Sequence, residues 1–192
     1  MEKIVGIDIA DTIIDVWPDL KEKASSFNKS HSNNPESLNK NLYLPEDIYN
    51  WSKEEKELFW SLYGDELAFS MPIKKGVKET LDLLKSLSIK IYFITAKSND
   101  KYVELEKKII KLLNDNSIPY DKLFTQVTNK GLLCHEKNVS YLVDDSYINC
   151  LSALKYKKVA LLMNNPYNEN REMLENMFRI HEFKEIRQYV LK

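Results

Sequence analysis

The sequence predicts an α/β protein whose parallel sheet is covered by helices on both faces. Short apolar runs with the length of buried strands alternate with segments whose apolar residues have helical spacing, which is typical of this fold class. Two of the runs, at 3–9 and 139–143, reach acidic residues at their ends, and α/β proteins bind ligands at the carboxyl ends of parallel strands. With 192 residues, 43% of them apolar, the chain is long enough for one complete core.

The first third of the chain is predicted to be helical after an initial strand. Its elements are, in order, a strand at 3–9, a helix at 13–27, a polar Asn-rich loop at 28–41, and helix starts at 44–47 and 52–55. The first helix must hold Pro18 in its first turn or break there, and Ser52 with Glu55 has the pattern of a capping box. Because no strand signal occurs here, residues 13–71 are predicted to form a small helical unit inserted after the first strand.

From residue 72 onward, helices and strands alternate. The predicted elements are a helix at 72–87, a strand at 89–94, a helix at 100–114, a strand at 123–125, a helix at 130–136, a strand at 139–143, a helix at 149–154, a strand at 158–163, and helices at 169–177 and 182–191. Helices between successive strands are the crossovers that a parallel sheet requires. We therefore predict that residues 1–12 and 72–192 together form the sheet-containing core.

Composition and charge exclude several classes of protein. The 28 basic and 29 acidic residues leave a net charge of −1, which gives no electrostatic basis for binding a long nucleic acid. No apolar run approaches the ~20 residues of a membrane span, and the amino terminus has no signal-peptide pattern. Cys134 and Cys150 are too few for a disulfide framework, so we expect two free thiols and a reducing, cytoplasmic location.

Three carboxylates stand at predicted strand ends. Asp8 follows the first apolar run, and the pair Asp144-Asp145 follows the run 139–143. Each could cap a helix or occupy a solvated turn, which is a common role of aspartate. Adjacent carboxylates repel each other, however, and burying both is costly without a cation. The alternative is a Mg²⁺ site, because Mg²⁺ prefers carboxylates, water and substrate phosphate as ligands.

Two further residues offer donors to a phosphate. Thr95 follows the apolar run 91–94 and carries a hydroxyl, although a β-branched residue that finishes a strand is also ordinary. Lys130 lies fourteen residues before Asp144 and carries an ammonium, although most lysines simply lie on the surface. If the strand ends converge, both groups could reach the phosphate of a ligand bound beside the carboxylates.

Taken in order, these residues resemble the four motifs of the haloacid dehalogenase-like phosphohydrolase superfamily. The first motif, D-x-D-x-T, corresponds to residues 8–12, and the others correspond to Thr95, Lys130 and residues 144–145. The resemblance covers essentially the whole chain. It implies a Rossmann-like three-layer sandwich with a parallel sheet and a small helical cap inserted after strand 1.

A closer resemblance is to the 5′(3′)-deoxyribonucleotidase-like branch of that superfamily. It is carried by the segments 6–8, 72–77, 91–97, 142–146 and 163–168. This resemblance implies a hydrolase of phosphomonoesters that acts on a small phosphorylated metabolite, a nucleoside monophosphate above all. It implies no membrane and no long nucleic acid as partners, and it leaves a homodimer open.

The resemblance implies that Mg²⁺ is the cofactor and that Asp8 is the nucleophile. Asp8 would attack the substrate phosphorus and carry an aspartyl-phosphate. Asp8, the backbone carbonyl of Ala10 and Asp144 would bind Mg²⁺ directly, and Asp145 would support a metal-bound water. The metal would neutralise the phosphate and hold it in line.

The resemblance also implies which residues contact the substrate. Thr95, Ala96 and Lys130 would bind the phosphate, and Thr95 and Lys130 would stabilise the charge that develops on it. Most aromatic residues of the cap are expected to form its core. Three of them are candidates for stacking on a base or another ring: Phe27, Trp60 and Tyr63.

Ala10 departs from the superfamily pattern, which has an aspartate at this position to protonate the leaving oxygen and later activate water. Alanine can neither donate nor accept a proton, and loss of a general acid/base typically costs ~10²–10⁴-fold in rate. Asp11 is not expected to replace it, because neighbouring side chains of an extended chain point in opposite directions. The predicted activity is therefore reduced or absent.

Several alternatives remain open at this point. The chain could be a phosphatase altered at this one residue, a non-catalytic protein that binds phosphorylated ligands, or a phosphonatase-like enzyme. The phosphonatase branch also carries alanine here and uses a cap lysine to form a Schiff base; the cap lysines are Lys21, Lys23, Lys29, Lys40, Lys53 and Lys56. A response-regulator-like domain has similar strand-end residues, but the long insertion after strand 1 argues against it.

Overall fold

The computed structural model describes residues 2–39 and 41–192, and its centre is a six-stranded parallel sheet. The strands are β1 (Ile4–Ile7), β2 (Lys90–Ile94), β3 (Lys122–Phe124), β4 (Tyr141–Asp144), β5 (Val159–Met163) and β6 (Met177–Ile180). Their order across the sheet is β3-β2-β1-β4-β5-β6, and every neighbouring pair is parallel. The predicted α/β fold class is confirmed. Lys40 of the cap lysines lies outside the described residues.

Helices fill the intervals between the strands. They are α1 (Trp17–His31), α2 (Pro45–Ile48), α3 (Lys53–Phe69), α4 (Val77–Ser86), α5 (Leu105–Asp115), α6 (Lys130–Glu136), α7 (Tyr147–Lys155) and α8 (Arg187–Val190), with a 3-10 turn at Phe183–Ile186. Among the described residues, no helix combines the length and apolar character needed to span a bilayer.

The alternation of side chains along the strands produces the three layers. Val5, Ile7 and Phe93 belong to a buried cluster that includes apolar residues of α4 and α5. Tyr92 and Leu142 face the other way and belong to a second cluster with residues of α6 and α7. Because successive side chains of a strand point to opposite faces, each face of the sheet buries its own layer of helices.

The neighbours of β1 explain why distant parts of the chain converge. Ile7 pairs with Phe93 of β2 and with Val143 of β4, so all three strands end at the same edge of the sheet. The residues at or just after the ends of these strands, at positions 8, 95 and 144–145, therefore lie along the same edge of the sheet.

The inserted helical segment has a core of its own aromatic rings. Phe27 is 2% exposed and packs edge-on against Trp51 and Phe59 at centroid distances of 4.9 and 5.4 Å. The predicted capping box starts α3: Ser52 Oγ accepts from the Glu55 N–H at 3.2 Å, and Glu55 Oε2 accepts from the Ser52 N–H at 2.7 Å. Burial of these large rings gives the short helices the tertiary support that isolated helices lack.

The predicted helix at 169–177 is wrong. Turns and irregular backbone occupy this stretch up to β6, a strand that the sequence analysis missed. The guanidinium of Arg179 donates to Asn164 Oδ1 at 2.8 Å and to Asn168 Oδ1 at 2.9 Å, and also to two backbone carbonyls of this segment. These side-chain bonds hold the Asn-rich segment in turns instead of a helix.

Candidate active site

Three carboxylates meet at the carboxyl end of the sheet. Asp8 follows β1, is 6% exposed, and donates its backbone N–H to the Val143 carbonyl at 2.9 Å. Asp144 ends β4 and is fully buried, and Asp145 follows it. Asp8, Asp144 and Asp145 each offer a carboxylate oxygen, and these oxygens all lie within 4.8 Å of one another. We call this group the acidic centre.

Lys130 joins the acidic centre from the first turn of α6. Its Nζ donates to Asp144 Oδ2 at 2.7 Å and contacts Asp8 Oδ1, and the residue is 2% exposed. Burial alone would lower the pKa of Lys130, but the charges of Asp144 and Asp8 raise it above its ordinary value. The lysine therefore remains an ammonium between two carboxylates, where it can neutralise negative charge.

The position of Lys130 depends on how closely α6 packs against α7. A Cβ at Gly131 would lie 2.2 Å from the backbone oxygen of Ser152, a separation that only glycine avoids. Asn129 caps α6 by accepting from the Leu132 N–H at 2.9 Å, and its Oδ1 also accepts from Ser152 Oγ at 2.8 Å. Backbone packing and capping thus direct the lysine side chain towards the sheet.

Neighbouring polar groups orient the paired aspartates. Asp144 Oδ1 accepts from the Ser146 N–H at 2.9 Å and from Asn149 Nδ2 at 3.1 Å. Asp145 Oδ2 accepts from the Tyr167 hydroxyl at 2.7 Å, and the backbone carbonyl of Asp145 accepts from Asn168 Nδ2 at 2.8 Å. The sequence did not predict that Tyr167 would contact the acidic centre.

The electrostatics of the acidic centre fit a hard cation. Burial raises the pKa of Asp8 to about 6, against the opposing influence of Lys130. Burial and the charges of Asp144 and Asp8 also raise the pKa of Asp145. Asp8 and Asp144 are buried and Asp145 is partly buried, and a divalent cation would offset the repulsion among the three carboxylates. Mg²⁺ binds such oxygen ligands, so the residues present suit it.

Ala10 has no side-chain group that can transfer a proton, and the neighbouring Asp11 bonds to the start of α1. Ala10 is partly exposed and forms a parallel bridge with Ile14. Asp11 has a φ of +52°, so the extended-chain reason for excluding it does not apply. Instead, its Oδ1 accepts from the N–H groups of Val16 at 3.0 Å and Trp17 at 2.8 Å, which ties it to the start of α1.

The segment after β2 brings a hydroxyl and an unexpected ammonium to the site. Thr95 is 2% exposed, and its Oγ1 accepts from the Lys97 N–H at 3.2 Å, while Ala96 is exposed. Burial lowers the pKa of Lys97, and the nearby charges of Asp8, Asp11 and Asp145 oppose that shift. Two of these charges, those of Asp8 and Asp145, belong to the acidic centre. The sequence analysis did not single out Lys97.

A cavity of about 440 Å³ lies between α3 and the segment after β2, and we call it the cap cavity. Its lining includes Tyr43, Lys56, Trp60, Gly64, Lys97 and Tyr102. Trp60 is one of the three aromatic candidates named from the sequence. Lys97 lines the cavity, and the charges of Asp8 and Asp145 act on its ammonium.

The other two aromatic candidates lie elsewhere. Phe27 is inside the cap core, where it packs on neighbouring rings, and it does not line the cap cavity. Tyr63 packs against Phe59 at 5.2 Å, and the Nζ of Lys23 from α1 lies 5.1 Å from its ring centroid. Helical periodicity showed that both residues are near the core, but it did not distinguish the face that packs from the face that lines a cavity.

Tyr43, which lies in the loop between α1 and α2, packs against residues next to the acidic centre. Its ring packs on Trp17 at 5.8 Å and on Tyr167 at 4.8 Å. Burial, together with the charges of Asp11, Asp145 and Asp8, raises the pKa of Tyr43 well above its ordinary value. Tyr43 lines the cap cavity and also a cavity of about 170 Å³ that Asp145 lines.

The cap lysines bear on the phosphonatase alternative. Of the described ones, Lys56 lines the cap cavity, but its Nζ lies 2.8 Å from Glu46 Oε1. The hydrogen bond and the charge of Glu46 raise the pKa of Lys56. A Schiff base requires a neutral amine, and this ion pair favours the protonated form. The arrangement therefore gives no support to a phosphonatase-like lysine.

Comparisons with known proteins identify the fold. No family model matches the chain, and no curated protein matches its sequence. A haloacid dehalogenase-like family hydrolase from Streptococcus pneumoniae is similar in structure, with a TM-score of 0.71 and 14% identity over 98% of both chains. The chain has the haloacid dehalogenase-like fold.

Two further solved structures agree with this fold assignment. A predicted phosphatase from Clostridium acetobutylicum has a TM-score of 0.71 and 14% identity, over 100% of this chain and 99% of its own. A predicted phosphoglycolate phosphatase from Haemophilus somnus has a TM-score of 0.66 and 17% identity, over 98% and 97%. The haloacid dehalogenase-like fold thus accounts for the full length of the chain, including the inserted helices.

Mg²⁺ is expected to stabilise this haloacid dehalogenase-like fold more at pH 7.5 than at pH 5.5. A folded-state pKa of about 6 for Asp8, above the ordinary 3.8, means that the folded protein binds the extra proton between pH 4 and 6. Stability of the metal-free protein therefore falls as pH rises through this window. Above pH 6 the ionised carboxylate is free to bind metal, whereas at pH 5.5 protons compete with it.

At a Mg²⁺ concentration 100 times Kd, binding adds about 2.7 kcal/mol, which corresponds to a rise in Tm of about 5–10 °C at pH 7.5. Thermal unfolding with Mg²⁺ or EDTA measures this shift at both pH values. Asp145→Asn should reduce it, and Asp82→Asn, at an exposed ion pair with Lys78, should leave it unchanged. An equal shift at both pH values, or a full shift in Asp145→Asn, would contradict the prediction.

Proposed function

We propose that the chain is a Mg²⁺-dependent phosphomonoester hydrolase that acts on a small phosphorylated metabolite. The observation that carries this proposal is the convergence of Asp8, Lys130, Asp144 and Asp145 in one centre at the carboxyl end of the sheet. The fold is shared with solved structures described as phosphatases and hydrolases, which supports this class of reaction. The proposed activity is reduced because residue 10 is alanine.

In the first step, a carboxylate oxygen of Asp8 attacks phosphorus. A new bond forms between this oxygen and phosphorus, the ester P–O bond breaks, and the leaving alcohol takes the electron pair and requires a proton. Thr95 and Lys130 supply donors where negative charge develops on the phosphoryl oxygens. Asp8, the carbonyl of Ala10 and Asp144 would hold Mg²⁺, with Asp145 supporting its water; the cation supplies charge neutralisation and alignment.

In the second step, water attacks the phosphorus of the aspartyl-phosphate. Inorganic phosphate leaves, the carboxylate of Asp8 is regenerated, and the water must give up a proton. The methyl group of Ala10 can take part in neither proton transfer. We therefore expect both steps to depend on solvent for the proton, at ~10²–10⁴-fold lower rates than with a side-chain acid/base.

The substrate proposed is a nucleoside monophosphate, as in the 5′(3′)-deoxyribonucleotidase-like branch. The cap cavity, at about 440 Å³, is of the size that binds small molecules. Its lining combines Trp60 and Tyr102 with Lys97, which suits a ligand with a ring at one end and an anion at the other. A cytoplasmic location agrees with the two buried free cysteines.

A second candidate function is the binding of a phosphorylated ligand without turnover. Ala10 is the observation that favours it, because the metal and phosphate ligands are retained while the acid/base is missing. A panel of phosphomonoesters distinguishes the two functions. It should include deoxynucleoside monophosphates, 2-phosphoglycolate and glycerol 3-phosphate, with release of inorganic phosphate measured with and without Mg²⁺.

The proposed function predicts slow, Mg²⁺-dependent release that Asp8→Asn abolishes. Asp8→Asn keeps the shape of the side chain but removes the nucleophile, so it is the matched control. If release from every panel member is equal in the wild type and in Asp8→Asn, hydrolysis at this site is excluded. Ligand-induced stabilisation without turnover would then favour the binding function.

A further inference from the structure

Gly64 lies in the interior of α3, where the fold gives no reason for glycine. Its φ is not in the left-handed region, so the backbone does not require glycine. A Cβ at this position would lie 3.7 Å from Trp60 Cε3 and 4.0 Å from Tyr102 Cε1, which are ordinary contact distances. Glycine is among the least favourable residues in a helix interior. An alanine would therefore fit and would favour the helix.

The two rings near Gly64 are held by contacts outside the cap cavity. Trp60 donates its indole N–H to Glu46 Oε2 at 3.1 Å, and Glu46 is itself buried. Tyr102 packs edge-on against Phe69 at 5.2 Å. These contacts fix the two rings from outside the cavity, and both residues also line the cavity wall.

Trp60, Gly64 and Tyr102 line the cap cavity together. One atom of each ring lies within 4.0 Å of the point where a Cβ of residue 64 would be, so both rings flank the position that a methyl group would take. A flat ring inserted between two others needs about 3.5–4.0 Å on each side. A side chain at position 64 would occupy the base of this space, which glycine leaves open.

The end of the cap cavity near the acidic centre carries positive charge. Lys97 lines the cavity, and its ammonium lies 5.5 Å from the centroid of the Tyr102 ring. The charges of Asp8 and Asp145 also act on this ammonium. The cavity that holds the two rings therefore also holds a cationic group that can pair with the anionic end of a ligand.

We propose that Gly64 is a specificity-determining residue that keeps the space between Trp60 and Tyr102 open for a flat ring of the ligand. This inference deepens the proposed function, on which it rests for the phosphate end of the ligand. It accounts for an unfavourable helix residue that neither the backbone nor the packing requires. It also predicts opposite effects of one methyl group on stability and on binding.

Binding is tested with deoxythymidine monophosphate and with glycerol 3-phosphate, which has no ring. Quenching of tryptophan fluorescence and calorimetry give the Kd of each probe for the wild type, Gly64→Ala and Gly64→Leu. We expect Gly64→Ala to raise Tm by about 2–4 °C and to weaken binding of the nucleotide at least fivefold. Gly64→Leu should weaken it more than twentyfold, and glycerol 3-phosphate binding should change less than twofold.

Glu54→Leu is the matched control, because it introduces a leucine into the same helix at an exposed position that does not line the cavity. It should leave both Kd values unchanged. Equal binding of the nucleotide by wild type and Gly64→Ala would overturn the proposal, as would a wild type that binds both probes equally well. If Gly64→Ala lowered Tm and weakened the binding of both probes equally, the role of Gly64 would be in packing, and the proposal would also be overturned.

The two proposals can fail separately. Ring-selective binding that Gly64→Ala weakens, without any phosphate release, would remove the proposed hydrolysis and keep the ring site. Phosphate release at equal rates from nucleotides and glycerol 3-phosphate, unaffected by Gly64→Leu, would keep hydrolysis and remove the ring site.

Discussion

Ala10→Asp is expected to raise kcat for phosphomonoester hydrolysis by about 10²–10⁴-fold, the range that a positioned general acid/base contributes. The residue follows β1 by three positions and is partly exposed, so a carboxylate there does not have to enter the core. Its bridge with Ile14 holds the backbone beside Asp8. The introduced carboxyl group would protonate the leaving oxygen in the first step and accept the proton of water in the second.

Steady-state phosphate release from deoxynucleoside monophosphates measures this gain. Ala10→Asn is the matched control: it has nearly the same volume and cannot transfer the proton, so it should stay within about threefold of the wild type. The double variant Ala10→Asp with Asp8→Asn should return to background. If Ala10→Asp is folded and stabilised by Mg²⁺ but turns over no faster than Ala10→Asn, binding without turnover becomes the better account of this site.

Lys130→Met is expected to destabilise the metal-free protein by about 3–5 kcal/mol, because it leaves Asp8 and Asp144 buried without their shared ammonium. For a chain of this length, that loss lowers Tm by roughly 10 °C. Saturating Mg²⁺ should restore part of the lost stability, since a cation then faces the same carboxylates. Turnover should fall as well, because a donor to the developing charge is removed.

Thermal unfolding with EDTA and with Mg²⁺ measures both parts of this expectation. Lys111→Met removes an exposed lysine that pairs with Asp115 at 2.6 Å, and a pair of this kind contributes about 0.3–0.5 kcal/mol. It is therefore the matched control for loss of a lysine. A Lys130→Met protein as stable as Lys111→Met would show that the buried ion pair is not what holds the acidic centre together.

The acidic centre was predictable because its members depend on local signals. Asp8, Thr95 and Asp144 each lie at or just after the end of an apolar strand, and a parallel sheet brings such ends to one edge. Lys130 was predictable from its order in the chain relative to these motifs. The structure brings Asp8 and Asp144 together as the strand-end argument requires, and Lys130 reaches them from the first turn of α6, bonded to Asp144 and in contact with Asp8.

Residues that reach the site through tertiary packing were not predictable. Lys97 looked like any lysine, and Tyr43 lies in a polar loop, yet both are influenced by the charges of the acidic centre. Choosing Trp60 over Phe27 requires knowing which helix face meets the cavity. β6 was missed because its central residues are partly exposed and Asn-rich turns precede it, so its apolar signal is short.

The close packing of α6 against α7 has a consequence for recognising distant relatives of this chain. The backbone oxygen of Ser152 leaves no room for a side chain at position 131. The residue that follows Lys130 must therefore be glycine. An aligned lysine is weak evidence by itself, because lysines are abundant. The tripeptide Asn129-Lys130-Gly131, in which one residue caps the helix and the last permits the close approach, is a search pattern that a random surface lysine does not satisfy.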